Sequence, residues 1–415
     1  ELNLNSETMS NTIYMENVKN EAEEILKMPL QQIALKNYKI YTYFDQQKQK
    51  CLEDSLNNKD YYDINSYGNV ADSLGIILDS TTAGVSAMYG KSKYNLTNFK
   101  RQPGSAIKPI LVYAPALDCG EIYNCSQILD EEVDYNGYSP NNVGNEFHGY
   151  VSIRESVAKS LNIPAVKIMD YIGIEKCKSF AQNSGIKFSE YDNGLAIALG
   201  GFNEGITMKE LVNSYVPFVN DGNFTQAKFI KKITTSDNKV LYENPCTKTQ
   251  IMGDDTAYLM TDLLVDGVKK GTSSRLKNLP FDVAGKTGTV AIKGTNLNSD
   301  VYSIAYTTSD IVGVWLGNYT FEKENNLEGR NNGGTFCTSM VKDVMQNMYT
   351  IPPKDFKMPE SVVSLKIDEK NMNENHTILL AGEDCPERYT VSEIFAKRFA
   401  PTEYSDIYTN INVDF

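Results

Sequence analysis

The sequence predicts an α+β protein, and three observations lead there. Strand-type runs gather at two places far apart in the chain, a hairpin over 73–89 and a β-rich stretch over 281–319. Helical signals, two of them opened by capping boxes, occupy much of the interval between those clusters. A further helix is expected over 336–348, closing the second cluster. Separate runs of strands and helices, rather than strict alternation, mark the α+β class.

Taken in order, residues 1–36 are polar, acidic and weakly helical over 16–28, and read as a connector. A short β-type run follows at 40–44, then a helix over 46–56. The runs 73–78 and 84–89 flank a turn rich in Ser, Thr and Gly, as a hairpin requires. Pro103 and Gly104 punctuate the chain before an apolar helix reaching Leu117. Residues 118–150 are loop-rich. Ser152-Ile-Arg-Glu155 and Thr207-Met-Lys-Glu210 are capping boxes, each opening a helix. The stretch 228–242 reads as a hairpin around Asp237-Asn238, and 255–268 as a helix. Two further strands are expected over 301–307 and 310–319. Composition shifts after Pro352-Pro353. The expected units are therefore a linker over 1–60, a main domain over 61–353 and a small tail domain over 354–415.

Composition narrows the function classes. The 415 residues carry a formal charge of −13, which argues against nucleic acid, because neutralising phosphates takes clustered Lys and Arg. No apolar run of the ~18 residues needed to span a bilayer occurs. The chain starts at Glu1 without a signal peptide and is expected to be a processed piece, any membrane anchor or export signal lying upstream. Seven cysteines include no C-x-x-C pair, so a metal site is not expected. Cys119 and Cys125 are close enough in sequence to bridge, or are reduced core thiols. Neither histidine, His148 nor His376, sits in a triad-like motif, and both are read as structural or surface residues. No cofactor is expected.

Three short motifs in a set order carry the chemistry: Ser105-Ala-Ile-Lys108, Ser160-Leu-Asn162 and Lys286-Thr-Gly-Thr289. Ser-x-x-Lys alone is weak, since it also begins at Ser156, Ser184, Ser236, Ser274 and Ser339. Lys-Thr-Gly occurs once, and the order of the three is the signal. A serine hydroxyl needs a base within reach. On a helix, Lys108 lies one turn from Ser105. Lys108 must be neutral part of the time, and burial or a second cation such as Lys286 lowers a lysine pKa. Pro164 is expected to interrupt the helix at Ile163, which would aim Ser160 as a proton relay and Asn162 as a substrate-amide ligand. Gly288 would let a substrate backbone approach the strand edge, with Lys286, Thr287 and Thr289 holding a carboxylate. The backbone N–H groups of Ser105 and Thr289 could form an oxyanion hole.

Beyond the motifs, Arg101-Gln-Pro-Gly-Ser-Ala-Ile-Lys-Pro109, Tyr138-Ser-Pro-Asn-Asn142, Phe147-His-Gly149 and Ser160-Leu-Asn-Ile-Pro-Ala-Val166 stand in order. Ala284-Gly-Lys-Thr-Gly-Thr289, Val314-Trp-Leu-Gly317, Glu393-Ile-Phe and Pro401-Thr-Glu403 follow. Together they resemble the transpeptidase domain of class A penicillin-binding proteins, over roughly residues 37–415. The resemblance implies an antiparallel sheet covered by helices on both faces plus a helical subdomain, as in β-lactamases and transpeptidases. It implies Ser105 as the acylated serine, Lys108 as its base, Ser160 and Asn162 as the second motif, and Lys286, Thr287, Gly288 and Thr289 as the carboxylate-binding strand. The implied reaction is D,D-transpeptidation of peptidoglycan stem peptides, with a D-Ala-D-Ala donor, an amine acceptor and β-lactams as covalent inhibitors. The implied location is the extracellular face of the bacterial cytoplasmic membrane. Two departures stand out. These 415 residues hold neither the glycosyltransferase domain nor the membrane anchor that members usually carry upstream, and Asp300-Val-Tyr-Ser303 stands where members often show Trp-Phe after an aspartate. The rivals are a D,D-carboxypeptidase, a β-lactamase of the same fold, and an inert cell-wall scaffold. The β-lactamase is disfavoured because no Glu-x-x-Leu-Asn segment follows Ser160.

Overall fold

The structure, a computed structural model, describes residues 13–62, 70–320, 326–328 and 331–408. Its centre is an antiparallel sheet of five main strands: β1 (Asp72–Asp79), β2 (Val85–Lys91), β3 (Ala284–Ala291), β4 (Leu297–Tyr306) and β5 (Asp310–Gly317). Their spatial order is β3-β4-β5-β1-β2. The hairpin β1–β2 and the meander β3–β5, nearly two hundred residues apart, are joined where β5 pairs with β1, Val312 opposite Ile77. A short strand, Leu327–Glu328, extends the start of β4.

Both faces of the sheet are covered, and successive side chains of a strand part company as the two-residue period requires. Ile76, Leu78, Tyr302, Ile304 and Tyr306 point into one apolar cluster, while Ile77, Val301, Ala305 and Val312 point into another. That two-sided burial explains near-continuous apolar strands without a solvent-facing alternation. The second cluster is closed by α2 (Gln46–Asn57) and α6 (Phe336–Met348), through Leu52, Leu56, Met340, Val341, Val344 and Met345. The first is filled by the helical subdomain, including α3 (Ile153–Lys159), α4 (Ile163–Ile172) and α5 (Asp254–Lys269).

The connector expected over 1–36 falls partly on residues 1–12, outside the described residues. From Ile13 onward the structure corrects it. Helix α1 (Ile13–Leu26) is packed onto the body, burying Tyr14, Val18 and Ala22. The Tyr14 hydroxyl donates to the Val85 carbonyl of β2 (2.8 Å), and the buried Glu21 carboxylate accepts the N–H groups of Phe229 and Ile230. The predicted strand near 40–44 is Lys39–Thr42, which pairs with Ile230–Thr234 of the 228–242 hairpin. Within the loop-rich 118–150, Gln127–Asp130 pairs with Gly149–Ser152. At Thr207 both halves of the capping box form. At Ser152 only the serine half does, because Glu155 turns to Lys159. After residue 353, β6 (Val362–Asp368) and β7 (Thr390–Ala396) form a two-stranded antiparallel ladder. Among the described residues no helix is long and apolar enough to cross a membrane.

Candidate active site

The Ser105 segment begins as a 3₁₀ turn, Gly104–Ile107, continues as a single π turn, Pro109–Tyr113, and ends as α-helix, Ala114–Asp118. Irregular helical turns of this kind gather at functional sites. Gly104 has φ +54°, and a Cβ there would lie 2.8 Å from the Thr289 carbonyl oxygen. Gly200 has φ +81°, and its Cβ would overlap the Gly104 backbone at 2.3–2.6 Å. Only glycine relieves both constraints. The turn bearing Ser105 is thereby pressed onto β3. Gly288 belongs to the same contact: a Cβ there would meet the Pro103 carbonyl at 2.8 Å and Ala106 at 3.0 Å. The space it leaves is filled by the Ser105 turn, which is the constraint that excludes a side chain at Gly288.

Helix α3 ends at Lys159, and Ser160 takes a left-handed conformation (φ 59°, ψ 36°). Such a conformation is unfavourable for a residue with a Cβ and is typical of functional turns. Helix α4 then starts at Ile163, so Pro164 lies in a first turn rather than expelling Ile163 from the helix. The reason is that N–H groups in a first turn have no intrahelical partner, so proline forfeits nothing there. The expected break survives, shifted to residues 160–162.

Both lysines converge on that break. Lys108 is fully buried, and its Nζ donates to the carbonyls of Ser160 (2.9 Å) and Leu161 (2.8 Å) and to Asn162 Oδ1 (2.7 Å). Lys286, also buried, donates to Ser160 Oγ (2.6 Å) and to the Thr287 carbonyl (2.9 Å). Burial, and after it the neighbouring Lys286 ammonium, holds the Lys108 pKa well below the usual lysine value. Three oxygen acceptors match the three donors of an ammonium and oppose that shift. A neutral amine has two donors and one lone pair, so deprotonation would surrender one of the three bonds. Burial lowers Lys286 to about 7. Ser105 is half-buried, and no hydrogen bond to its hydroxyl forms among the described residues.

Also on β3, Thr287 Oγ1 donates to Thr272 Oγ1 (2.7 Å), and Thr289 Oγ1 accepts the Gly333 N–H (3.2 Å). Thr272 adds a hydroxyl that the motifs did not announce, because it lies in a turn fifteen residues before Thr287 with no local signal. Asn162 is held from two sides: its Nδ2 donates to the Asn141 carbonyl (2.7 Å) and its backbone N–H to Asn142 Oδ1 (2.8 Å). Arg101, four residues before Ser105, and Asp300 of β4 form a buried ion pair, and Trp315 Nε1 also donates to Asp300 (2.9 Å). Tyr302, in the segment that departs from the family pattern, is buried opposite Trp315. His148 bonds Asp130 and His376 stacks on Tyr150, so neither histidine serves Ser105. All seven cysteines are free thiols.

A family model described as "Penicillin binding protein transpeptidase domain" matches residues 74–346. The chain belongs to the penicillin-binding protein transpeptidase family. A second model, "Penicillin-binding protein 1A, C-terminal domain", matches residues 358–410. Among relatives, penicillin-binding protein 1F of Bacillus subtilis is 29% identical over 392 residues, covering 91% of this chain and 53% of that protein. Penicillin-binding protein 1A/1B of the same organism is 31% identical over 327 residues, covering 75% and 35%. The chain thus spans about half, or less, of the length of these penicillin-binding proteins. Among solved structures, PonA1 from Mycobacterium tuberculosis has a TM-score of 0.73 at 21% identity, covering 84% of this chain and 92% of that one. Penicillin-binding protein 1A from Haemophilus influenzae has a TM-score of 0.75 at 17% identity, covering 95% and 77%. At those identities the structures bear on the fold, which they share with this transpeptidase-family chain.

Proposed function

We propose that this chain is a peptidoglycan D,D-transpeptidase that works through a Ser105 acyl-enzyme and is blocked covalently by β-lactams. The observation that carries the reading is the bonding of one residue, Ser160, by both lysines: Lys108 at its carbonyl and Lys286 at its hydroxyl. It ties the three motifs into one polar cluster beside the nucleophile turn. Family membership supports the same reading, as does a PonA1 structure solved in complex with penicillin V.

In this reading neutral Lys108 takes the Ser105 proton as Oγ attacks the carbonyl of the penultimate D-Ala. The developing oxyanion is received by the Ser105 and Thr289 backbone N–H groups. The C–N bond then breaks, and the departing D-Ala amine receives its proton through the Ser160 hydroxyl. An amine from a neighbouring stem peptide attacks the ester, Oγ leaves and recovers a proton, and the cross-link is made. Lys286, Thr287 and Thr289 hold the donor's terminal carboxylate, and Asn162 its amide. The full-length protein would carry this unit on the outer face of the cytoplasmic membrane.

Intact-protein mass spectrometry with benzylpenicillin tests it. Wild type should keep a persistent adduct of one equivalent, and Ser105→Ala should form none. Lys108→Ala should slow adduct formation by at least ~10²-fold, the usual scale for removing a general base. A transient adduct with released penicilloate would reassign the chain to hydrolysis, and no adduct on wild type would sink the catalytic reading.

A further inference from the structure

The Ser160–Asn162 turn is braced from behind by side chains that the reaction does not use. Asn142 is buried (4% exposed), and its Oδ1 accepts the backbone N–H of Asn162 (2.8 Å) and, more weakly, of Ile163 (3.4 Å). Its Nδ2 donates to both oxygens of Asp130 at 2.8 Å and to the Glu146 carbonyl at 3.0 Å. The orientation of this amide is set by its partners. Backbone N–H groups only donate and a carboxylate only accepts, so oxygen must face Asn162 and nitrogen must face Asp130.

Asp130 is entirely buried. Besides the Asn142 amide it accepts the His148 backbone N–H (3.0 Å) and is bonded to His148 Nδ1 (2.8 Å). The relay continues forward. Asn162 Oδ1 takes one of the three Lys108 bonds, and Asn162 Nδ2 is tied to the carbonyl of Asn141, the residue just before Asn142. A buried carboxylate thus orients an amide, the amide clamps the turn, and the turn presents three oxygens to the candidate base. The clamp also has work to do, because Ser160 sits in a backbone conformation that would relax if released.

We propose that Asn142, oriented by Asp130, is a positioning residue for acylation: it holds the Ser160–Asn162 turn so that Lys108 is presented to Ser105. The proposal rests on the Ser105–Lys108 reading above and extends it to two residues that touch no substrate. It assigns the Asn142 motif to the turn's geometry and His148 to the support of Asp130.

The test exploits the polarity of the pair. Asn142→Asp sets two buried carboxylates against each other, which cannot both ionise. Asp130→Asn removes the acceptor for the Asn142 amide. The double variant, Asn142→Asp with Asp130→Asn, reverses the pair: the new aspartate accepts the Asn162 N–H and the new asparagine donates to it. Acylation by benzylpenicillin is followed as a function of drug concentration, separating the limiting acylation rate from the half-saturating concentration. Asn142→Asp should lower the limiting rate on the order of 10²-fold with little change in half-saturation. The double variant should recover to within about tenfold of wild type, because coupled partners are not additive. Asn142→Ser, neutral and smaller, guards against a variant that does not fold. It should keep the thermal midpoint of the wild type within a few degrees while losing at least about tenfold in limiting rate.

An Asn142→Asp or Asn142→Ser protein that acylates at the wild-type rate overturns the proposal. So does a double variant whose loss is the product of the two single losses, or a loss confined to half-saturation. Failure of wild type itself to acylate would instead strike the Ser105 reading, so the two failures are told apart.

Discussion

A single buried amine shows how much of this site is decided by desolvation. Lys286 has an ordinary pKa of 10.5 and is held at about 7 by burial. Between those values the unfolded chain binds a proton that the folded chain does not, so stability rises with pH across that interval. The contribution is complete above 10.5 and is lost as pH falls to about 7. Its slope is at most about 1.4 kcal/mol per pH unit. Lys108 acts in the same sense, so the informative comparison is wild type against Lys286→Met. Urea unfolding at pH 7, 8 and 9 should show wild type gaining on the variant at each step, and parallel stabilities would refute the burial argument. Gly200 makes a second residue-scale case. Its Cβ would strike the Gly104 backbone, so Gly200→Ala should push the Ser105 turn off β3 and, in the proposed reading, slow penicillin acylation by at least about tenfold. An unchanged rate would mean that the turn tolerates the shift.

At the scale of elements, legibility in the sequence followed locality. Helix α6 was readable to the residue, because a helical period and its boundaries are local signals. The three motifs were readable because their residue types are rare in combination and their order is distinctive. What could not be read was the partner of α1. Its helical bias was visible, but the face it buries meets β2 and the Ile230–Thr234 strand, dozens to hundreds of residues away. Asp130 and Thr272 were missed for the same reason, each lying in a stretch without periodicity whose meaning comes only from a distant neighbour. The α1 contact can be tested through Glu21, whose buried carboxylate takes two backbone N–H groups. Glu21→Leu leaves both donors buried and unpaired and should destabilise by about 2–4 kcal/mol. Glu21→Gln, which keeps an acceptor, should lose less. Chemical denaturation that ranks the two variants equally, or finds neither destabilised, would mean α1 is not docked as described.

At the scale of the whole molecule, the question is whether the segment after residue 353 unfolds with the rest or alone. Its own apolar cluster is small and borrowed: Ile367 and Phe395 pack with Cys125 and Tyr123 of the helical subdomain. A unit of this size with so little core is marginal by itself. Two arginines tie it down instead. Arg154 of α3 binds Asp262 and Asp266 of α5 together with Glu393 of β7, and Arg398 reaches Asp118 and Asp255. These are partly buried, shared carboxylate networks rather than lone surface pairs, the arrangement in which ion pairs contribute measurably. Moreover, α3 runs directly into Ser160, so Glu393 steadies the helix that leads to the candidate site. Calorimetry of the wild type should therefore show one cooperative transition. Glu393→Gln combined with Arg398→Met should release the segment, adding a separate transition at lower temperature while the main one moves by only a few degrees. A single transition in that variant, shifted as one, would show that the borrowed apolar contacts alone couple the segment to the sheet. Two transitions already present in wild type would show that the ion-pair networks never coupled it.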